Sequence, residues 1–501
     1  MLQYVSEDNP EFFANRSAQS LSWLLSNGTE FATGDLPFVH YFMRQFPSDR
    51  WFAQLAQPIS EFLVQQSARH DVLQHATISV AALLASTDPD GQPEPTQACM
   101  RKYLEHKQIA LQLLQKRINS LDISPYLSAA VAFLLMGEMG GPHSKVHMQG
   151  LKSVLEYLQN ITGSNEYLLY GDYDDSRLIW LSLAVGMRLD ITLAAVEGDP
   201  VLDPLPITPE MEKMHKSWIQ GICETSPHAP QAIEWGFIIF TLRGMLHRVF
   251  HIASLARRLR NSPDYSPEKE ATIQMLCLEL ELELERWFQR PLIQDCIFEE
   301  KTEHPVRPSL GCFLHYEPFG IRNFGFHNLM SEYRTAVLYL SIIAHPQIGP
   351  GPPGSKRFSH AVDLCRSLAS DPFFWQWSLL HRSRVTEGAR LFQLFLCCLT
   401  FGGDEFYPLE TREALNMFVQ SIPEAWGCKA EEIINTWIRQ CPGLPPVAAF
   451  STMKLDEFGE ARMNLNMFVK KRPPYFDYTA PSEGQVWYNK DRLSRVGFYH
   501  V

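Results

Sequence analysis

Four segments in close succession decide how this chain folds: LQHATISVAALLA (73–85), YLEHKQIALQLL (103–114), SPYLSAAVAFLLMGE (124–138) and HMQGLKSVLEYL (147–158). In the first, Leu73, Ala76, Thr77, Val80 and Leu84 fall on one helical face, because apolar residues recurring at three and four positions track the 3.6-residue turn. Tyr103, His106, Ala110, Leu113 and Leu114 do the same in the second. The third opens with Ser124 as the expected N-cap and Pro125 at the first helical position, where a missing N–H costs nothing and φ is already helical. Its stripe is Leu127, Ala130, Val131, Leu134 and Leu135, and Gly140-Gly141-Pro142 stops it. The fourth carries His147, Gly150, Leu151, Val154, Leu155 and Leu158. Four amphipathic helices with short connections must bury their stripes against one another. The expected fold is therefore all-α, a large domain of packed antiparallel helices.

Order and spacing carry a resemblance. His106-Lys107 with Ala110 and Leu113, then Ala129-Ala130 with Leu134-Leu135 and Glu138, then His147-x-x-Gly150-Leu151 with Val154-Leu155, resembles the fungal-specific transcription factor domain. Trp180 with Arg188-Leu189-Asp190-Ile191, Tyr333 with Ala336 and Leu338, and Glu431-Glu432-Ile433-Ile434 with Trp437 extend the likeness along the chain. In that family this all-helical regulatory region usually follows a binuclear zinc-cluster DNA-binding module. The resemblance implies a transcriptional regulator in the nucleus, whose helical domain takes a protein partner or a small apolar ligand.

The zinc cluster itself is missing from the sequence. Ten cysteines occur and no two are spaced Cys-x-x-Cys, whereas a fungal cluster packs six thiolates around two tetrahedral ions. Small buried thiols in a reducing compartment are the expectation instead. Net charge is −12, the wrong sign for a chain that holds DNA by neutralising phosphates. Direct DNA contact is thus not expected. The expected partners are other transcription regulators, including a zinc-cluster factor.

The 501 residues suffice for one large or two medium domains. Residues 1–35 read as a poorly anchored N-terminal segment, 36–470 as the helical regulatory domain and 471–501 as a C-terminal tail. Neither a signal peptide nor a membrane span is expected, since Arg188 and Asp190 interrupt the most apolar stretch, 179–195. A long helix is expected over 232–260, ending at Asn261-Ser262-Pro263. Its terminal Arg257, Arg258 and Arg260 read as a solvated end that complements the helix dipole. Residues 278–285 alternate Leu and Glu at the strand period, but both residue types and their neighbours favour helix.

No catalytic, cofactor-binding or metal-binding residues are assigned. Asp172-Tyr173-Asp174-Asp175 has the Asp-x-Asp-Asp form of class II terpene cyclases, which are also helical. It lies in a turn-rich connection over 163–176, where aspartates satisfy turn backbone. His143 and His147 have the spacing of a zinc half-site. No third ligand accompanies them, and His147 reads as a hydrogen-bonded core histidine. Gly150 costs helix propensity, which is expected to permit close approach of another helix. Phosphate-cradling loops, nucleophile elbows and dinucleotide fingerprints do not occur. Two alternatives stand beside the regulator: a sensor or scaffold for an apolar metabolite without a transcriptional role, and a helical terpene cyclase.

Overall fold

A computed structural model describes residues 31–45, 53–87, 95–138, 144–162, 173–197, 199–205, 212–213, 216–220, 229–294, 324–345, 357, 360–361, 364, 393, 396, 453–455 and 461–463. The helices with defined bounds are α1 (Leu36–Gln45), α2 (Ala53–Arg69), α3 (Asp71–Thr87), α4 (Thr96–Asn119), α5 (Pro125–Glu138), α6 (Ser144–Thr162), α7 (Tyr173–Glu197), α8 (Ala229–Arg260), α9 (Pro267–Phe288) and α10 (Phe324–Ala344). The architecture is all-α. A three-residue antiparallel ribbon, Met453–Leu455 with Ala461–Met463, is added to it. The stretch expected as one helical domain contains two compact units, one within residues 1–186 and 207–237 and the other within 187–206 and 238–484.

In the first unit α3 is the central helix, packed on α1, α2, α4 and α5. Its sequence explains the position. A helix that is apolar nearly all round must be covered nearly all round, and Val72, Leu73, Ala76, Ile78, Val80, Ala81, Ala82 and Ala85 are all buried. The alanines let its neighbours come close. Helix α5 is built alike, with every residue from Leu127 to Leu135 buried. Around them pack Phe38 and Phe42 from α1, the latter edge-on to Phe133 at 5.9 Å between centroids.

Several local expectations need correction. Ser124 sits at the N-cap position of α5, yet its Oγ is buried without a hydrogen-bond partner. Its carbonyl starts the helix by accepting from Leu127 N at 2.9 Å. The connection expected over 163–176 ends early, because α7 begins at Tyr173. Gly150 is exposed, and a Cβ built on it meets nothing within 4 Å. The glycine with close neighbours is Gly137, whose Cβ position lies 3.4 Å from both Leu83 and Tyr103. Helix α6 buries the face of Met148, Leu151, Leu155 and Leu158, which puts Gly150 at its side and leaves His147 half-buried. Gly150→Ala should therefore stabilise the chain by about 0.5–1 kcal/mol through helix propensity alone. A lower denaturation midpoint for that variant would restore the close-approach reading.

In the second unit, the Leu/Glu alternation is helical as expected. Ser266 caps α9 by accepting from Lys269 N, and Pro267 follows at the first position. Trp287 Nε1 donates to Ile238 O at 3.0 Å, and Trp287 and Phe288 both stack on Tyr333. Two of the three arginines ending α8, Arg257 and Arg260, are paired, and Arg258 is exposed. Arg257 donates to Asp199 at 2.8 Å. Arg260 forks onto both oxygens of Glu270 and also donates to Ile343 O in the last turn of α10. There a cation meets the orphan carbonyls of a helix end.

Residues 174–195 are long and apolar enough for a membrane span by length and composition, despite the charges at Arg188 and Asp190. Yet 83% of the most apolar window is buried inside the protein. That is the property of a core helix.

Candidate functional site

Each unit holds one buried cluster of an aspartate and two histidines. In the first, Asp35 immediately precedes α1, and its carbonyl accepts from Phe38 N and Val39 N to start that helix. Its side chain does not cap the helix. It turns to α4, where Lys102 Nζ donates to Oδ1 at 2.9 Å and His106 Nε2 lies 3.2 Å from the same oxygen. On its other side His106 Nδ1 meets His75 Nδ1 of α3 at 2.9 Å. A carboxylate takes only donors, so His106 turns Nε2 towards Asp35, and the direction of the bond between the two Nδ1 atoms is set by which ring carries the proton. Burial pushes the Asp35 carboxyl up, but the close approach of His106 and the hydrogen bond from Lys102 outweigh it and bring its pKa down to about 2. His75 is held below the ordinary histidine value, first by burial and then by His106 beside it.

The second cluster is deeper. Asp190, on α7, is fully buried. Its oxygens accept from Val201 N at 2.9 and 3.0 Å and from Leu202 N at 2.8 Å. His247 of α8 donates to it through Nε2 at 2.8 Å. One carboxylate thus ties the backbone after α7 to its own helix and to α8. His251, one turn on, stands edge-on to His247 with centroids 4.6 Å apart. Burial, and then His247, push His251 down to about 4. His247 Nδ1 and His251 Nε2 are buried without hydrogen-bond partners.

No protein-family model, curated protein or solved structure matches the chain.

The clusters can hold protons and pin segments. Among the described residues, no Ser, Thr or Cys hydrogen-bonds to His75 or His251. No group of three or more His, Cys, Asp or Glu side chains among those residues has metal-holding geometry.

The motifs singled out in the sequence fall elsewhere. Asp174 lies in the first turn of α7 and accepts from Gln66 at 2.9 Å, Arg69 at 3.1 Å and Arg177 at 3.3 Å. Two of these three partners are cations and the third is a neutral amide, whereas the cyclase pattern needs neighbouring carboxylates. Cys99 and Cys277 are buried and form no disulfide, and burial pushes the Cys277 thiol to about 12. Such a thiol packs rather than reacts. Asp172, His143, the glycine-proline loop at 349–354 and the Glu431–Trp437 motif lie outside the described residues.

Of the cluster residues, His106 and Asp190 stand in the motifs of the family resemblance. Asp35, His75, His247 and His251 carried no site signal. Gly34-Asp35 before Leu36-Pro37 does have the form of a helix start, but a cap predicts an aspartate satisfying its own helix. This one serves α4.

Proposed function

We propose that this protein is a transcriptional regulator of the fungal-specific transcription factor type, working in the nucleus through a protein partner rather than through a DNA-binding module of its own. One observation carries the reading. Residues of the resemblance follow one another on successive helices of an all-α fold, and most of the apolar ones are buried in its core, while His147 is half-buried and Gly150 exposed. His106 and Ala110 are buried in α4, Ala129, Ala130, Leu134 and Leu135 in α5, and Leu151, Val154 and Leu155 in α6. Asp190 pins the backbone beyond α7. Two further facts fit it: an acidic chain, and the engagement of Arg257 and Arg260 at the end of α8 with acids. Both favour contact with proteins over contact with phosphates.

The test is a reporter assay with the full chain fused to a heterologous DNA-binding domain. Reporter output should change several-fold when matching sites are present and stay constant when they are removed. Unchanged output together with exclusion of the untagged chain from nuclei would sink the proposal.

A further inference from the structure

The turn from α8 into α9 reads Asn261-Ser262-Pro263-Asp264-Tyr265-Ser266-Pro267-Glu268-Lys269. Five Ser-Pro or Thr-Pro pairs occur in the chain, with the hydroxyl at 124, 208, 226, 262 and 266, and the last alone has a basic residue three positions on. That combination suits a protein kinase. Such an enzyme grips its substrate as extended chain, and proline forces the residue before it out of the helical region. A base two places beyond the proline gives an acidic subsite of the enzyme something to select.

Three of the five hydroxyls lie among the described residues, and geometry separates them. Ser124 Oγ is buried, out of an enzyme's reach. Ser262 is wound into a turn, its carbonyl accepting from Tyr265 N at 3.1 Å and its Oγ from Asp264 N at 3.3 Å. Ser266 is extended, with φ −141° and ψ 160°. Asp264 and Tyr265 before it, and Pro267 and Glu268 after it, are all exposed. Little holds the residues that follow. Pro267 has no N–H, and the first N–H groups of a helix find no acceptor inside it. Opening the first turn of α9 breaks the 3.4 Å bond from Lys269 N to Ser266 Oγ and the 3.1 Å bond from Glu270 N to Ser266 O. It also releases the exposed Glu268 carboxyl, which Ser266 holds below its usual value.

We propose that Ser266 is a phosphorylation site for a protein kinase that selects proline at the next position and a base at the third. In the transfer, Ser266 Oγ attacks the γ-phosphorus of ATP. The new O–P bond forms as the bond from that phosphorus to the β–γ bridging oxygen breaks, the hydroxyl proton passes to the catalytic aspartate of the kinase, and ADP leaves. The product carries about −1.5 to −2 charge at pH 7 at the head of α9. A kinase site here stands whether or not the chain acts in transcription.

The full, folded chain is incubated with ATP, Mg²⁺ and a cyclin-dependent protein kinase as the probe enzyme, and the modified residue is mapped by mass spectrometry. Phosphate should appear on Ser266 and not on Ser124. Ser266→Ala should cut incorporation by at least about tenfold, and Ser266→Thr, which keeps both the hydroxyl and a helix cap, should restore it. Lys269→Ala leaves the serine, the proline and the cap in place, and should lower kcat/KM for the chain by about tenfold. No incorporation, incorporation at Ser262 or elsewhere with Ser266 unmodified, or a Lys269→Ala chain with the parent kcat/KM overturns the proposal.

Discussion

Asp190→Ala should lower the stability of the second unit by about 3–5 kcal/mol, the cost of leaving several buried donors without the acceptor they share. The carboxylate accepts from two backbone N–H groups and one imidazole, all within 3.0 Å. Alanine leaves each donor without an acceptor. His247 is worst placed, because its Nδ1 already lacks a partner and the residue is buried. Losing Nε2 as well leaves both ring nitrogens orphaned in the core. Asp190→Asn retains one carbonyl oxygen but turns an amide N–H₂ towards groups that donate, so its effect should be intermediate. The chain holds two units, so the measurement must be local. Amide hydrogen exchange should quicken over 199–206 and 238–260 and stay unchanged over 71–138. A global denaturation midpoint within about 0.5 kcal/mol of the parent, with exchange unaltered, would show that the pair is not the anchor its geometry implies.

Helices here were legible wherever one residue's neighbours in sequence determine its surroundings. The four helices between 71 and 162 follow from period alone, and α9 follows from propensity even against a strand-like alternation. Burial was legible less well. Helices α3 and α5 are covered on most sides, and their sequences say so by being apolar all round. Helix α6 is covered on one face only, so a residue at the edge of its stripe falls either way, and Gly150 fell outside. The clusters were not legible at all. Asp35 meets His106 across 71 positions and Asp190 meets His247 across 57. No spacing rule links residues that only tertiary packing joins. A lone Asp or His in an amphipathic helix looks the same whether it faces water or another helix. The arginines of α8 make the same point: the dipole argument named the right residue types at that end, but their partners Asp199 and Glu270 come from the neighbouring loop and from α9.

Acid should destabilise the second unit by about 2–3 kcal/mol between pH 6.5 and 4, and His251 is the reason. Burial, and then His247, bring its folded value from 6.5 down to about 4. Within that window the unfolded chain binds a proton at this position and the folded chain does not. Protons therefore favour unfolding as pH falls, and the loss is complete once pH drops below the folded value. Above pH 6.5 both states are neutral there and the contribution is flat. His75 acts in the same direction in the first unit, its value lowered by burial and by His106. Asp35 follows the carboxylate rule: its contribution is present above 3.8 and is lost as pH falls towards 2. Histidine losses thus come first and the Asp35 loss follows at stronger acid. Guanidinium midpoints at about pH 7 and about pH 4.5 should separate for the parent chain, and the gap should shrink in His251→Phe, which keeps an aromatic ring and removes the titrating group. Imidazole resonances place the cause: the His251 signal should titrate near 4 rather than near 6.5. A His251 that titrates at its ordinary value, or midpoints that coincide at the two pH values, would mean that the edge-on histidine pair is open to water in solution.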